Sequence, residues 1–297
     1  MHSTLPSGVR LETGRGGLPR LSITTDACVA ELYLYGAHLC RWQPRSEPHP
    51  VLWMSAASRF EAGAPIRGGV PVCFPWFGPK AGDPSAPAHG LARISLWGLE
   101  RVAAEADGAI TVRMRLDLAA GPVARPLLPG TLLLSFELRL AGMLSMALTV
   151  TNRGEAPSTF EEALHTYFTV GDVRRVTVAG LGGATFLDKV DGAKRKTQAE
   201  ELIAIGGETD RLYLDTDAAV TLSDPVLGRR IRVGKTGSRS SVVWNPWVAK
   251  SRAMPDFGDD EWPQMICIET ANAADNAVTL PPHASHTMTA TLGVESL

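Results

Sequence analysis

The chain has 297 residues, 44% of them hydrophobic, with 29 basic against 31 acidic side chains and a formal net charge of -2. That is enough apolar material to bury a core without disulfides or metal, as one large β domain or two modest ones. The near balance of charge excludes a whole-molecule field that would gather nucleic acid or anionic membrane, so an anionic ligand must meet a local cluster.

The four cysteines, Cys28, Cys40, Cys73 and Cys267, have no CxxC spacing. This argues against a zinc site and against a disulfide framework, and favours a reducing compartment. Residues 1–20 contain Gly, Pro and Arg but no apolar signal-like core, and no stretch reaches about 18 uncharged apolar residues. A soluble, cytoplasmic protein is expected, with 1–20 loosely ordered.

In chain order, 21–25 and 29–35 read as short strands. Residues 66–93 then resist a regular description, being dense in Gly, Pro, Trp and charge. From Ile110 to Leu118 apolar and polar residues alternate strictly, placing the apolar ones on one face of a strand. The pattern recurs over 132–140 and, after Ala141-Gly142, over 144–150, which predicts an antiparallel hairpin. Residues 199–205 suit a short helix or a loop. Further strands are expected at 219–222, 231–233, 241–244, 265–269 and 287–292, and 244–262 is again irregular. Short strands with few amphipathic helices indicate an all-β fold, an antiparallel sandwich or barrel. Nothing marks a domain boundary, so a single domain over 1–297 is expected. Long irregular segments in a compact domain tend to carry function, which directs attention to 66–93 and 244–262.

Arg67 opens the run Arg67-Gly68-Gly69. A planar guanidinium there can bind a phosphate while the glycines let backbone and ligand approach, but a strand-end ion pair fits equally. His89-Gly90-Leu91-Ala92-Arg93 can present two donors, His89 and Arg93, to one ligand, or be a solvated loop. His165 is expected on a strand with Ala163 and Tyr167 sharing its inward face, as a catalytic or a hydrogen-bonded core histidine. Asp210 precedes Arg211 as surface pairs often do. Glu269 ends an apolar strand, where a carboxylate is a general base or a solvated loop residue. Trp244, Trp247 and Trp262 suit either a sugar-stacking cleft or a small aromatic core. No Walker loop, GxSxG elbow, GxGxxG or metal-binding helix is present.

Taken in order, RGGVPVCFPWFGP, HGLAR, ALHTYFTVGDV, ETDRLY, VVWNPW and MPDFGDDEWPQMICIET resemble the hexose-6-phosphate mutarotases, the phosphosugar branch of the aldose 1-epimerase superfamily. The resemblance spans 23–292. It implies a large antiparallel β-sandwich of the galactose-mutarotase type, with His165 and Glu269 catalytic and Arg67, Arg93 and Asp210 binding substrate. It implies exchange of the anomers of a hexose 6-phosphate, with no metal and no cofactor. Ala88 departs from the glutamine that some relatives carry before the His-Gly pair. Anomer exchange itself needs one base for the C1 hydroxyl and one acid for the ring oxygen, which Glu269 and His165 can supply. The acid limb of a bell-shaped pH profile is then assigned to Glu269 and the alkaline limb to His165. A mutarotase of unphosphorylated aldoses and a non-catalytic carbohydrate-binding protein are the alternatives, since fold alone does not fix function. The expected partner is a small phosphosugar, with neither nucleic acid nor membrane, and the expected state is a monomer.

Overall fold

The computed structural model describes residues 5–118, 128 and 130–297; Met1–Thr4, the start of the stretch expected to be loose, lie outside them. Strict alternation becomes strand where the sequence shows it most clearly. Leu132–Leu140 and Leu144–Asn152 both alternate buried and half-buried residues and pair as a hairpin with Leu140 opposite Leu144. Ile110–Asp117 adds to the same sheet with Ile110 opposite Leu140.

Among the described residues this sheet has nine strands. In spatial order they are Leu202–Ala204, Thr177–Ala179, Val220–Asp224, Arg229–Thr236, Ser285–Ser296, Leu144–Asn152, Leu132–Leu140, Ile110–Asp117 and Gly98–Ala104. The strand last in sequence therefore lies in the middle, between Arg229–Thr236 and Leu144–Asn152. At the edge, Leu202–Ala204 corrects the expectation of a helix or loop over 199–205. Only Ile203 of its three residues is buried, and pairing with Thr177–Ala179, not periodicity, makes it a strand.

A second sheet of eight strands runs from the edge hairpin Thr185–Asp188 and Lys194–Thr197 through Thr209–Tyr213 and Ser240–Asn245 to Met265–Asn272. Beyond that strand lie Glu162–Leu164 with Val72–Cys73, and Tyr167–Thr169. All eight residues of Met265–Asn272 are buried, so both its faces are covered. By the pleat, Ile266 and Ile268 share one face and join the main apolar cluster with Leu134, Phe136 and Leu148 of the nine-stranded sheet. Cys267 and Glu269 share the other. Two antiparallel sheets with one core between them make the sandwich expected from the sequence.

A four-stranded meander, Val9–Thr13, Pro19–Thr24, Cys28–Tyr33 and His38–Pro44, joins this body, and Trp42 Nε1 donates to Ala141 O at the hairpin turn. Its first strand begins at Val9, inside the stretch expected to be loose. The segment 244–262 is not wholly irregular, since Trp247–Ala253 forms an α-helix.

Arg229 fixes the sandwich at one point. Its side chain, 2% exposed, pairs with Glu47 at 3.1 Å and donates to Pro50 O and Thr169 O, both at 2.8 Å. Replacing it with methionine leaves a nearly buried carboxylate and several carbonyls without their donor. Urea unfolding of Arg229→Met should show a loss of about 3–5 kcal/mol. Arg174→Ala, which removes an exposed bridge to Asp172, should barely move the midpoint.

Candidate active site

The floor of the site follows from strand register. Met265–Asn272 pairs Thr270 with Leu164 on one side of a strand break and Cys267 with Tyr167 on the other, an unchanged register that sets His165 opposite Glu269. Ser240–Asn245 sets Val242 opposite Glu269 and Trp244 opposite Cys267, and Thr209–Tyr213 sets Asp210 opposite Trp244. With alternate residues on alternate faces, His165, Tyr167, Glu269, Trp244 and Asp210 all project to the same side. The sequence expected His165 within a continuous strand. The strand is interrupted there by a tight local turn, in which the N–H of Thr166 donates back to Leu164 O at 2.9 Å, while the N–H groups of His165 and Tyr167 still donate to Pro71 O at 3.0 Å and Gly69 O at 2.9 Å. Facing is preserved because register is.

His165 Nε2 lies 3.2 Å from Glu269 Oε1, with the side chains 9% and 1% exposed. The imidazole stacks on Tyr167 at 4.8 Å between centroids and meets Trp244 edge-on at 5.9 Å. Burial lifts the Glu269 carboxyl well above the ordinary carboxylate range; Lys189 opposes this and Asp210 reinforces it. Burial also pushes the His165 imidazolium well below the ordinary histidine range, aided by the charges of Arg67 and Arg93. Lowering one pKa and raising the other favours the state in which the pair holds one proton, and the two titration steps on either side of it belong to the pair. The limbs assigned from sequence took the two groups as independent.

Above this floor is a cavity of about 310 Å³. That is at the small end of sites for small molecules, roughly 300–1,000 Å³. The segments 66–93 and 244–262 supply much of its wall, and all six residues singled out from the sequence (Arg67, His89, Arg93, His165, Asp210 and Glu269) line it. Their partners differ from those the sequence suggested. Arg67 Nε and Nη2 donate to the two Asp256 carboxylate oxygens, each at 3.2 Å, and Nη1 donates to the Tyr167 hydroxyl at 3.0 Å. Burial works against this guanidinium charge, but Tyr167 and Asp256 outweigh it. The adjoining glycines serve the protein's own backbone and not a ligand: a Cβ on Gly68 would meet Trp53 O at 2.5 Å, and one on Gly69 would meet Leu39 O at 2.3 Å.

Arg93 donates from Nη2 to Ala88 O at 2.6 Å, and its buried Nε has no hydrogen-bond partner. His89 accepts the Gly78 N–H at Nδ1, 3.3 Å away. Burial, then Arg93, keeps its ring neutral. The His89 proton is accordingly on Nε2, available as a donor. Asp210 stands 3.9 Å from Lys250, which is also 3.2 Å from Glu208. Of the tryptophans, Trp244 lines the cavity, while Trp247 and Trp262 pack on each other at 4.2 Å as a small aromatic core.

Sequence reasoning missed Lys189 and the role of Asp256. Asp256 is in a motif singled out above, but its pairing with a residue 189 positions away leaves no local signal. Donor atoms of His165, Cys267 and Glu269 lie within 4.8 Å of one another, the geometry a metal ion would require. Burial raises the pKa of the Cys267 thiol well above its ordinary value.

A model of the family described as "Aldose 1-epimerase" matches residues 19–293. An Escherichia coli K12 protein named "Putative glucose-6-phosphate 1-epimerase" is 38% identical over 83% of this chain and 80% of its own length. The crystal structure of a "putative mutarotase" from Salmonella typhimurium superposes with a TM-score of 0.90 at 30% identity, covering 99% of this chain and 96% of that one. A galactose 1-epimerase from Lactobacillus acidophilus has the same fold, with a TM-score of 0.75 at 16% identity over 99% of both chains. The chain is an isomerase that belongs to the aldose 1-epimerase family.

Proposed function

We propose that this chain interconverts the α and β anomers of a hexose 6-phosphate, with Glu269 and His165 as the acid–base pair. The observation that carries the reading is the buried pair at 3.2 Å, opening onto a cavity whose wall holds Arg67 and Arg93. Glu269 takes the proton of the C1 hydroxyl while His165 protonates the ring oxygen. The C1–ring-oxygen bond breaks to give the open aldehyde, rotation about C1–C2 turns the other carbonyl face inward, and closure runs the same transfers backwards. The working arrangement carries its proton on His165. It differs from the uncharged arrangement only by transfer along the hydrogen bond, so both hold the same number of protons. Buried Glu269 Oε2 has no protein partner, which suits an acceptor reserved for a substrate hydroxyl. His89 Nε2–H and Asp210 supply a donor and an acceptor for further hydroxyls, and Arg93 and the remaining N–H groups of Arg67 receive the phosphate. The name of the Escherichia coli relative supports the same substrate class.

Four measurements test this. Glu269→Gln and His165→Ala should each slow anomer exchange by about two orders of magnitude or more, with folding retained; exchange near the wild-type rate in either variant removes that residue from the scheme. A chelator should leave the rate of the untreated enzyme in place, and a loss restored by added metal contradicts a two-residue mechanism. The pH profile, corrected for the substrate phosphate near pH ~6, should be flat through the ordinary histidine value of about 6.5. Its acid limb should fall below that value because the His165 pKa is lowered, and its alkaline limb well above the carboxylate range because that of Glu269 is raised. A limb centred on the unperturbed histidine value argues against the shared proton. Finally, NMR exchange on α-glucose 6-phosphate and α-glucose compares the substrate classes. Charge-assisted phosphate contacts of about 1.5–3 kcal/mol should favour the phosphosugar in kcat/KM by about ten- to a hundredfold. Equal values favour a general aldose mutarotase, and exchange of neither sugar favours a binding protein.

A further inference from the structure

Balancing the charges around the cavity separates its cations into two kinds. Arg67 is met by the Asp256 carboxylate and Lys250 by Glu208. Among the described residues Arg93 has only the neutral Ala88 carbonyl as acceptor. The fourth cation, Lys189, begins the turn Lys189–Asp191 that joins the edge strands Thr185–Asp188 and Lys194–Thr197.

That hairpin is rich in positive charge, and every neighbour of Lys189 is neutralised. Lys194 pairs with Asp191 at 2.8 Å, Arg195 with Asp275 at 2.7 Å, and Lys196 with Asp188 at 2.7 Å and Asp191 at 2.9 Å. Lys189 alone among them is in no ion pair among the described residues, although its charge acts at longer range on Asp210 and Glu269. Its ammonium group lies 4.4 Å from the centroid of Phe77, over the ring, and the side chain lines the cavity. A lysine on an exposed turn ordinarily extends into water, where its rotamers are free. A cation–π contact holds this one at the mouth. From there a file of rings leads inward, Phe77 edge-on to His89 at 4.9 Å and His89 edge-on to His165 at 5.5 Å. Lys189 is also the charged group that most strongly opposes the rise of the Glu269 pKa.

We infer that Lys189 contacts the substrate phosphate and sets the preference for a phosphorylated over a free hexose, closing from the rim on an anion that Arg93 receives from the wall. Two cations held in no direct ion pair among the described residues match the two charges of a phosphate monoester near neutrality. The compact ammonium can follow the phosphate as the sugar turns, whereas the guanidinium of Arg67 is fixed by Asp256 and Tyr167. The inference rests on the phosphosugar reading above.

The test measures kcat/KM for α-glucose 6-phosphate and α-glucose, and inhibition by inorganic phosphate, in wild type, Lys189→Met, Lys189→Arg and Lys194→Met. In Lys189→Met the phosphosugar preference should fall about tenfold, chiefly through KM, and inorganic phosphate should inhibit correspondingly less. Lys189→Arg should recover most of the preference, and Lys194→Met, from the same hairpin but already paired, should keep it. A wild-type preference near one overturns the phosphosugar reading and this inference with it. A clear wild-type preference that survives in Lys189→Met overturns the inference alone. Equal losses on both sugars, carried by kcat and by a displaced alkaline limb, show instead that Lys189 acts only through the titration of Glu269, and also overturn it.

Discussion

Moving a carboxylate out of water is costly unless something takes over the work of its hydration, and Glu269 is 1% exposed. The imidazole opposite it stands 3.2 Å away, and the charges of Lys189 and Arg93 work against the cost of ionising Glu269. Burial disfavours the charge on both groups, so neither is stable there alone in its ionised form. Burial thus favours the state in which the two hold one proton between them, which is the state the proposed acid–base exchange uses. Much of the architecture maintains that arrangement. The sheet keeps register across an interrupted strand, aromatic rings exclude water around the imidazole, and nearby cations limit how tightly Glu269 holds its proton.

The loops that complete the site are positioned by backbone demands distinct from ligand binding. His38, fully buried, holds Gly68 O at 2.8 Å from Nε2, and burial lowers its pKa to about 3, so it stays neutral. Gly90, at φ +77°, lets its loop approach Phe74, whose carbonyl would lie 2.0 Å from any Cβ. Arg67 and Asp256 join the two irregular segments across the mouth. Arg67, which reads as an anion clamp in the sequence, is thus first occupied with holding the wall.

What was legible in the sequence depended on how local its cause is. Alternation within 132–140 reports a single strand facing one core, and the strand Leu132–Leu140 has those bounds. Motif order pointed to the six cavity residues because each motif stays short and contiguous. The interruption at His165 was not legible, since Leu164-His165-Thr166-Tyr167 carries neither Gly nor Pro to announce the turn in which Thr166 N–H donates to Leu164 O. Lys189 was hidden for a related reason: in a stretch of lysines, arginine and aspartates, which cation is left over depends on pairings in space. Leu202–Ala204 shows the same limit, as three residues carry too little pattern to reveal a strand created by its neighbour.

The placement of Ser285–Ser296 in the interior of the nine-stranded sheet has a consequence for how the chain is made. Until that strand docks, Leu144–Asn152 and Arg229–Thr236 each present an open row of backbone donors and acceptors where the finished sheet has none. Both flanks leave the ribosome well before the strand that joins them, so the nascent chain carries two unprotected edges at once. Closing them is a long-range pairing, the kind of step that general folding physics makes slow and that leaves open strand edges able to pair between chains.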